Sequence, residues 1–199
     1  MTAEPAQPRE TTCKCCGNRA ELFGSCDFSK NCHEPSGTVL PPSGVTVHYH
    51  RCGECGFLFT THFDAATHDD LKKTIYNDEY VRVDPDCLAD RPANNAKLVA
   101  DCFGDHRAAV SVLDYGGGNG VLARRLRELG FVDVATYDPF HAEFAARPRR
   151  TFNIVLAFEV VEHVSTPVET MQDMTHFLDK DQGIVLFTTM LSPADLDAH

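Results

Sequence analysis

The sequence predicts an α/β fold, a doubly wound and mainly parallel sheet, with a small Cys-rich module in front of it. Three observations carry this reading. Strand-like and helix-like segments alternate from about residue 109 onward. One of those strands runs into a run of glycines that opens a helix, between Leu113 and Gly120. Seven of the nine cysteines fall before residue 56. The 199 residues suit one domain plus a small module. The expected division is a Cys-rich module at 1–62, a helical linker or lid at 63–108 and the α/β core at 109–199.

The head shows little regular periodicity. Pro35-Ser36-Gly37 and Pro41-Pro42-Ser43-Gly44 read as turns. Val45 to His50 and Phe57 to Thr60 are short β-like runs on either side of a Cys pair. Asp69 to Tyr80 reads as a helix that breaks before Asp84-Pro85. Pro92 to Phe103 reads as a second helix, with proline in its first turn and Gly104 just beyond its end. The alternation then begins. Ala109 to Leu113 is a strand, and Gly120 to Leu129 is a helix with Arg124, Arg125 and Arg127 outward and Gly130 as its stop. Val132 to Tyr137 is a strand, and Phe152 to Phe158 is an apolar run of the kind buried on both faces. Thr166-Pro167 opens a helix that runs to about Leu178, and Ile184 to Thr188 is another buried strand.

Composition narrows the classes. Apolar residues make up 43% and charged residues 24%, which fits a packed protein and argues against disorder and coiled coil. No apolar run approaches the ~20 residues of a membrane span. The polar start, Met1 to Pro8, does not read as a secretory signal, so a cytoplasmic location is expected. The net charge of -11 repels phosphate backbones, so nucleic acid is not an expected partner, and without a long apolar run neither is a membrane.

Nine cysteines without an export signal point to metal before disulfides. Cys13-Lys14-Cys15-Cys16-Gly17 and Cys52-Gly53-Glu54-Cys55-Gly56 are both Cys-x-x-Cys-Gly. Each such turn aims two thiolates at one point, and two turns supply the four sulfurs of a tetrahedral zinc site. Cys13, Cys16, Cys52 and Cys55 are the expected ligands of a structural zinc, with Cys15, Cys26, Cys32, His33, His48 and His50 as spare ligands nearby. A head this small lacks a sufficient core of its own, and metal binding can supply the folding free energy.

The glycine run is Val112-Leu113-Asp114-Tyr115-Gly116-Gly117-Gly118-Asn119-Gly120. A dinucleotide frame of Gly-x-Gly-x-x-Gly started at Gly116 puts Val121 in the third glycine place and fails. The frame Asp-x-Gly-x-Gly-x-Gly fits fully, with Asp114, Gly116, Gly118 and Gly120. Thr136-Tyr137-Asp138-Pro139 places a second acid at the end of the next strand, and Glu159-Val160-Val161-Glu162-His163-Val164 follows the apolar strand. With these three features in order, the chain resembles the class I S-adenosylmethionine-dependent methyltransferases, whose core is a Rossmann-like sheet. The resemblance covers roughly residues 92 to 190. It implies that Asp114 holds the methionine end of S-adenosylmethionine, that Gly116, Gly118 and Gly120 pass under it, and that Asp138 grips its ribose hydroxyls. The Cys-rich head in front of such a core is also similar to that of sugar C-methyltransferases of antibiotic pathways.

Two departures stand out. Only 15 residues separate Asp138 from Ile154, too few for a full helix, third strand and loops, so that unit is expected to be abbreviated or absent. The pattern also stops after the fifth strand, where the family adds a helix and an antiparallel strand pair. The expectation is a fragment or a minimal domain, with an open sheet edge suited to a homodimer.

The function this implies is methyl transfer to a small-molecule acceptor, with His163 and Glu159 as candidate catalytic residues and Tyr76 and Tyr80 as candidate lid residues. Two alternatives remain at this point. Glu159, Glu162 and His163 would share one face if a helix began near Glu159. With His176, that arrangement resembles the metal site of small-RNA 2′-O-methyltransferases. The chain could instead bind zinc and cofactor without turnover.

Overall fold

The computed structural model describes residues 9–31, 33–77, 80–191 and 196. The chain forms two compact units. One comprises Met1–Val83 with Ser165–Val168 and Leu191–His199, and the other comprises Asp84–Val164 and Glu169–Met190. Among the described residues, no helix is long and apolar enough to cross a membrane.

The first unit holds a four-stranded antiparallel sheet. Its strands are β1 (Glu10–Thr12), β2 (Arg19–Asp27), β3 (Thr46–Cys52) and β4 (Leu58–Thr60), in that spatial order. The β-like runs around the second Cys pair are β3 and β4. β1 and β2 carry no such signal: in β2 only Ala20 is buried, so the apolar alternation that marks a strand is missing. The long segment between the Cys pairs is held at its base by Asp27. Its carboxylate accepts from the backbone N–H groups of Ser29 (2.8 Å), Ser43 (2.9 Å) and Gly44 (2.9 Å) and from the Ser43 hydroxyl (2.8 Å).

The helix expected over Asp69–Tyr80 is shorter than that. α1 is His68–Thr74, opened by a capping box between Thr67 and Asp70, and α2 is Tyr80–Val83. β-branched Thr74 and Ile75 with Asn77 end the first segment, and the Asn77 side chain donates to the Lys73 carbonyl (2.9 Å).

The second unit is the parallel core. α3 is Asp90–Phe103, β5 Ser111–Tyr115, α4 Val121–Glu128, β6 Asp133–Tyr137, β7 Ile154–Phe158, α5 Pro167–Thr175 and β8 Ile184–Thr188. The sheet order is β6-β5-β7-β8, all parallel. Alternation along the strands sends residues to two covered faces. Val112, Val134, Ile154 and Leu156 pack with Ala96, Val99 and Ala100 of α3 and Leu122, Ala123 and Leu126 of α4. Leu113, Tyr115, Tyr137, Val155 and Ala157 pack with Met174 and Phe177 on the opposite face. The fold is therefore the doubly wound, Rossmann-like α/β class.

Several boundaries differ from the sequence expectation, and three of them have a hydrogen-bond reason. β5 begins at Ser111 rather than Ala109, because the backbone N–H groups of Ala109 and Val110 both turn back to the His106 carbonyl. α5 ends at Thr175 rather than near Leu178. The chain leaves it to bond Phe152, through Phe152 N–H to Phe177 O (2.7 Å) and Asp179 N–H to Phe152 O (2.8 Å). That pairing makes Phe152 a bridge residue, and the continuous strand β7 starts at Ile154.

Between β6 and β7 there is no further helix or strand. Two arginine clamps occupy this shortened connection. Arg147 makes paired bonds to Asp173 (3.0 and 2.6 Å) and lies 4.5 Å over the Phe177 ring. Arg150 does the same to Asp133 (2.6 and 2.5 Å) and over Phe152 (4.3 Å). The Tyr115 hydroxyl also donates to Asp173 (2.9 Å), so that carboxylate ties the shortcut to the core. Asp173→Ala leaves the hydroxyl of the buried Tyr115 without this acceptor. The expected loss is about 2 kcal/mol by urea unfolding. Asp133→Ala, in a more exposed pair, is expected to cost under about 1 kcal/mol.

Candidate functional site

The two knuckles of the first unit have the same local geometry. Gly17 and Gly56 sit at φ 74° and 75°, a left-handed conformation that glycine adopts without strain. Gly17 N–H bonds the Cys13 carbonyl (3.0 Å), and Gly56 N–H bonds the Cys52 carbonyl (3.1 Å). Cys13 N–H reaches Asn18 O (2.8 Å), and Cys52 N–H reaches Phe57 O (3.0 Å). Each turn thereby points two sulfurs the same way.

The four sulfurs converge. The ligand atoms of Cys13, Cys16, Cys52 and Cys55 all lie within 4.8 Å of one another, with Cys13–Cys55 at 3.7 Å and Cys16–Cys52 at 3.5 Å. A tetrahedral zinc with Zn–S near 2.3 Å sets sulfur–sulfur edges of about 3.8 Å, so the cluster fits that ion. N–H donors surround it: Cys15 N–H to Cys13 Sγ (3.4 Å) and the Asn18 amide to Cys16 Sγ (3.5 Å). The Asn18 backbone and side chain push the Cys16 thiol down to about 6. Cys55 is pushed up to about 12, where burial and the neighbouring thiols outweigh the Phe57 backbone N–H. Among the described residues, Cys15, Cys26, His33, His48 and His50 do not join this cluster, and Cys32 lies outside the described residues.

In the second unit, Asp114 is the penultimate residue of β5 and is 3% exposed. Its Oδ2 has no hydrogen-bond partner among the described residues. Burial, with the nearby charge of Asp138, pushes its carboxyl up to about 7. The glycine loop folds tightly over it. A Cβ on Gly117 would lie 2.2 Å from Asp114 Oδ2, so any side chain there must displace the Asp114 carboxylate. Gly117 occupies an unassigned place in the Asp-x-Gly-x-Gly-x-Gly frame, and its requirement comes from the path of the backbone.

The neighbouring glycines have their own close contacts. A Cβ on Gly116 would meet Val160 at 2.7 Å, and one on Gly120 would meet Phe144 at 2.9 Å. Gly118, at φ 53°, has open space beside it and donates its N–H to Asp138 Oδ2 (2.8 Å). Asp138 Oδ1 accepts from Phe140 N–H (2.7 Å). Asp138 is 8% exposed and each oxygen keeps a further lone pair for a ligand. The shortened connection closes this end: Asp138 N–H bonds Phe144 O (3.0 Å), and the His141 and Phe144 rings stack at 5.2 Å.

The segment after β7 does not start a helix. Glu159 sits at φ 55°, left-handed and strained for a residue with a side chain. Its N–H donates to Thr188 Oγ1 (3.1 Å), and the Thr188 hydroxyl donates to Glu159 Oε1 (2.8 Å). A single 3₁₀ turn, Val161–His163, follows. Glu159, Glu162 and His163 therefore do not share a helical face. Among the described residues they form no metal-ligand cluster, nor does His176, whose Nδ1 lies 3.0 Å from Gln172 O. His163 is exposed, and the carboxylate of Glu162 is buried.

A parallel doubly wound sheet, with a glycine loop and two buried acids at the carboxyl ends of β5 and β6, defines a cofactor-binding α/β domain of the kind that cradles a ligand at strand ends. Residues 88–199, more than half of the chain, match the family described as Methyltransferase domain, and the chain belongs to that family. Membership supports S-adenosylmethionine-dependent methylation as the class of activity. No curated protein matches the chain.

Proposed function

We propose that this protein transfers the methyl group of S-adenosylmethionine to a small-molecule acceptor, and that a structural zinc holds its N-terminal unit. One observation carries the cofactor assignment: the buried Asp114 carboxylate whose Oδ2 lacks a partner under the glycine loop. Such an atom is costly unless a ligand satisfies it, and the amino group of S-adenosylmethionine is a matching donor. Asp138 is the ribose acceptor in this reading, oriented by Gly118 and Phe140. Bound S-adenosylmethionine supplies a methyl group already activated on sulfur, so the protein's task is positioning. The net charge of -11 supports a small acceptor over a nucleic acid.

Calorimetric titration with S-adenosylhomocysteine tests the cofactor reading. Wild-type protein is expected to bind about one equivalent. Asp138→Ala should weaken binding by tenfold or more, on the scale of a charge-assisted hydrogen-bond pair. Gly117→Ala should abolish it by displacing the Asp114 carboxylate. Absence of binding by folded wild-type protein refutes the assignment.

A further inference from the structure

We propose that Glu162 is the proton acceptor of the methyl-transfer site, and that Thr188 is its positioning residue, acting through Glu159. The proposal rests on the methyltransferase reading and extends it to acceptors that carry an ionisable O–H or N–H.

Neither oxygen of Glu162 has a well-formed hydrogen-bond partner among the described residues, and both are sealed from solvent. A structural carboxylate is paired or solvated, because an unpaired buried charge is expensive. Glu162 is neither. Its place is set by its neighbours. Val160 fills the space beside Gly116, which puts this turn against the glycine loop. Thr188 at the end of β8 both accepts from and donates to Glu159, and so holds the left-handed residue from which the turn departs. Strain maintained by two side-chain bonds at strand ends is characteristic of a functional turn.

The electrostatics agree with the geometry. Burial raises the Glu162 carboxyl, and the Glu159 charge raises it further. The Glu162 backbone, His163 and the Thr189 side chain oppose the rise. A carboxyl moved toward neutral pH is a better general base than an ordinary one. In the step itself the acceptor's O–H or N–H bond breaks and its proton goes to Glu162. The freed lone pair forms the bond to the methyl carbon, and the electrons of the broken carbon–sulfur bond stay on sulfur. A cationic sulfonium and an anionic carboxylate become a neutral thioether and a neutral acid. His163, exposed one residue away, is not required for this transfer.

Infrared titration of the protonated-carboxyl stretch on the whole zinc-loaded protein decides the matter without knowledge of the acceptor. Besides the carboxyl of Asp114, a second is expected to titrate above the ordinary glutamate range near 4.3 and to vanish in Glu162→Gln, with Asp114→Asn removing the other. Thr188→Val should shift the Glu162 midpoint, and Thr188→Ser should restore it. In an Asp114→Asn background, a high-titrating band that Glu162→Gln leaves in place, or a Glu162 that titrates with the other glutamates, overturns the proposal. So does a midpoint indifferent to Thr188→Val. In labelled-methyl transfer to a panel of small alcohols, phenols and amines, any acceptor found should lose about 100-fold or more in kcat in Glu162→Gln. S-adenosylhomocysteine binding by the wild type is measured alongside. Its absence defeats the methyltransferase reading, whereas its presence with an ordinary Glu162 titration defeats only this inference.

Discussion

Removing the metal is expected to unfold the N-terminal unit. Its buried core is Cys13, Ala20, Cys52 and Phe59, with Phe57 packed against it. Two of those four residues are themselves ligands of the cluster, so little apolar core remains once the sulfurs are released. Structural zinc in small modules contributes about 10–16 kcal/mol of apparent binding free energy, well above the whole stability of most domains. Zinc analysis should find one ion per chain. Chelator, or Cys52→Ser, should abolish the antiparallel-sheet signals in NMR spectra. The second unit has two extensive cores of its own and should keep its signals and its cooperative unfolding. Acid should release the ion too, because protons compete for the thiolates. An N-terminal unit that stays folded without metal overturns this account.

Lowering the pH from 8 to 6 should weaken S-adenosylhomocysteine binding about tenfold. Asp114 is pushed up to about 7 by burial. An ammonium group needs the ionised carboxylate, so below that pH binding must first expel a proton, and affinity falls up to tenfold per pH unit. The same shift governs stability. A carboxyl whose folded pKa is raised is protonated in the native state, and the unfolded chain gives up its proton near pH 3.9. The folded protein therefore loses stability as pH rises from about 4 to about 7, and the loss is constant above that. The total is roughly 4 kcal/mol at 1.36 kcal/mol per pKa unit. Asp114→Asn should consequently unfold at higher urea concentration than the wild type at pH 8. It should also bind S-adenosylhomocysteine weakly and with no pH dependence between 6 and 8. A wild-type affinity that is flat across this range refutes the role of Asp114.

Much of the candidate site was legible because its signals are local. Cys-x-x-Cys-Gly specifies a knuckle within five residues, since the glycine must take a positive φ. The glycine loop and Asp114 form a similarly short unit at a strand end. The core strand β7 was readable because a strand covered on both faces needs an unbroken apolar run. β8 has such a run too but is not the buried strand it predicts: it lies at the sheet edge, with Ile184 and Phe187 exposed. β1 and β2 were not readable, because their unit is organised around a four-cysteine cluster and buries few side chains. Nor was the role of Thr188, which bonds Glu159 from 29 positions along the chain.

The sequence by itself determined the fold class, the family, the four cysteines and the two acids at the strand ends. These follow from hydrophobic period, glycine chemistry and ligand spacing, all of which operate over a few residues. Only the tertiary structure decided that a side chain on Gly117 would displace the Asp114 carboxylate, that Arg147 and Arg150 take the place of a third strand, and that the carboxylate of Glu162 is buried where His163 is exposed. Those features depend on which side chains meet through space, and distance along the chain carries no record of that.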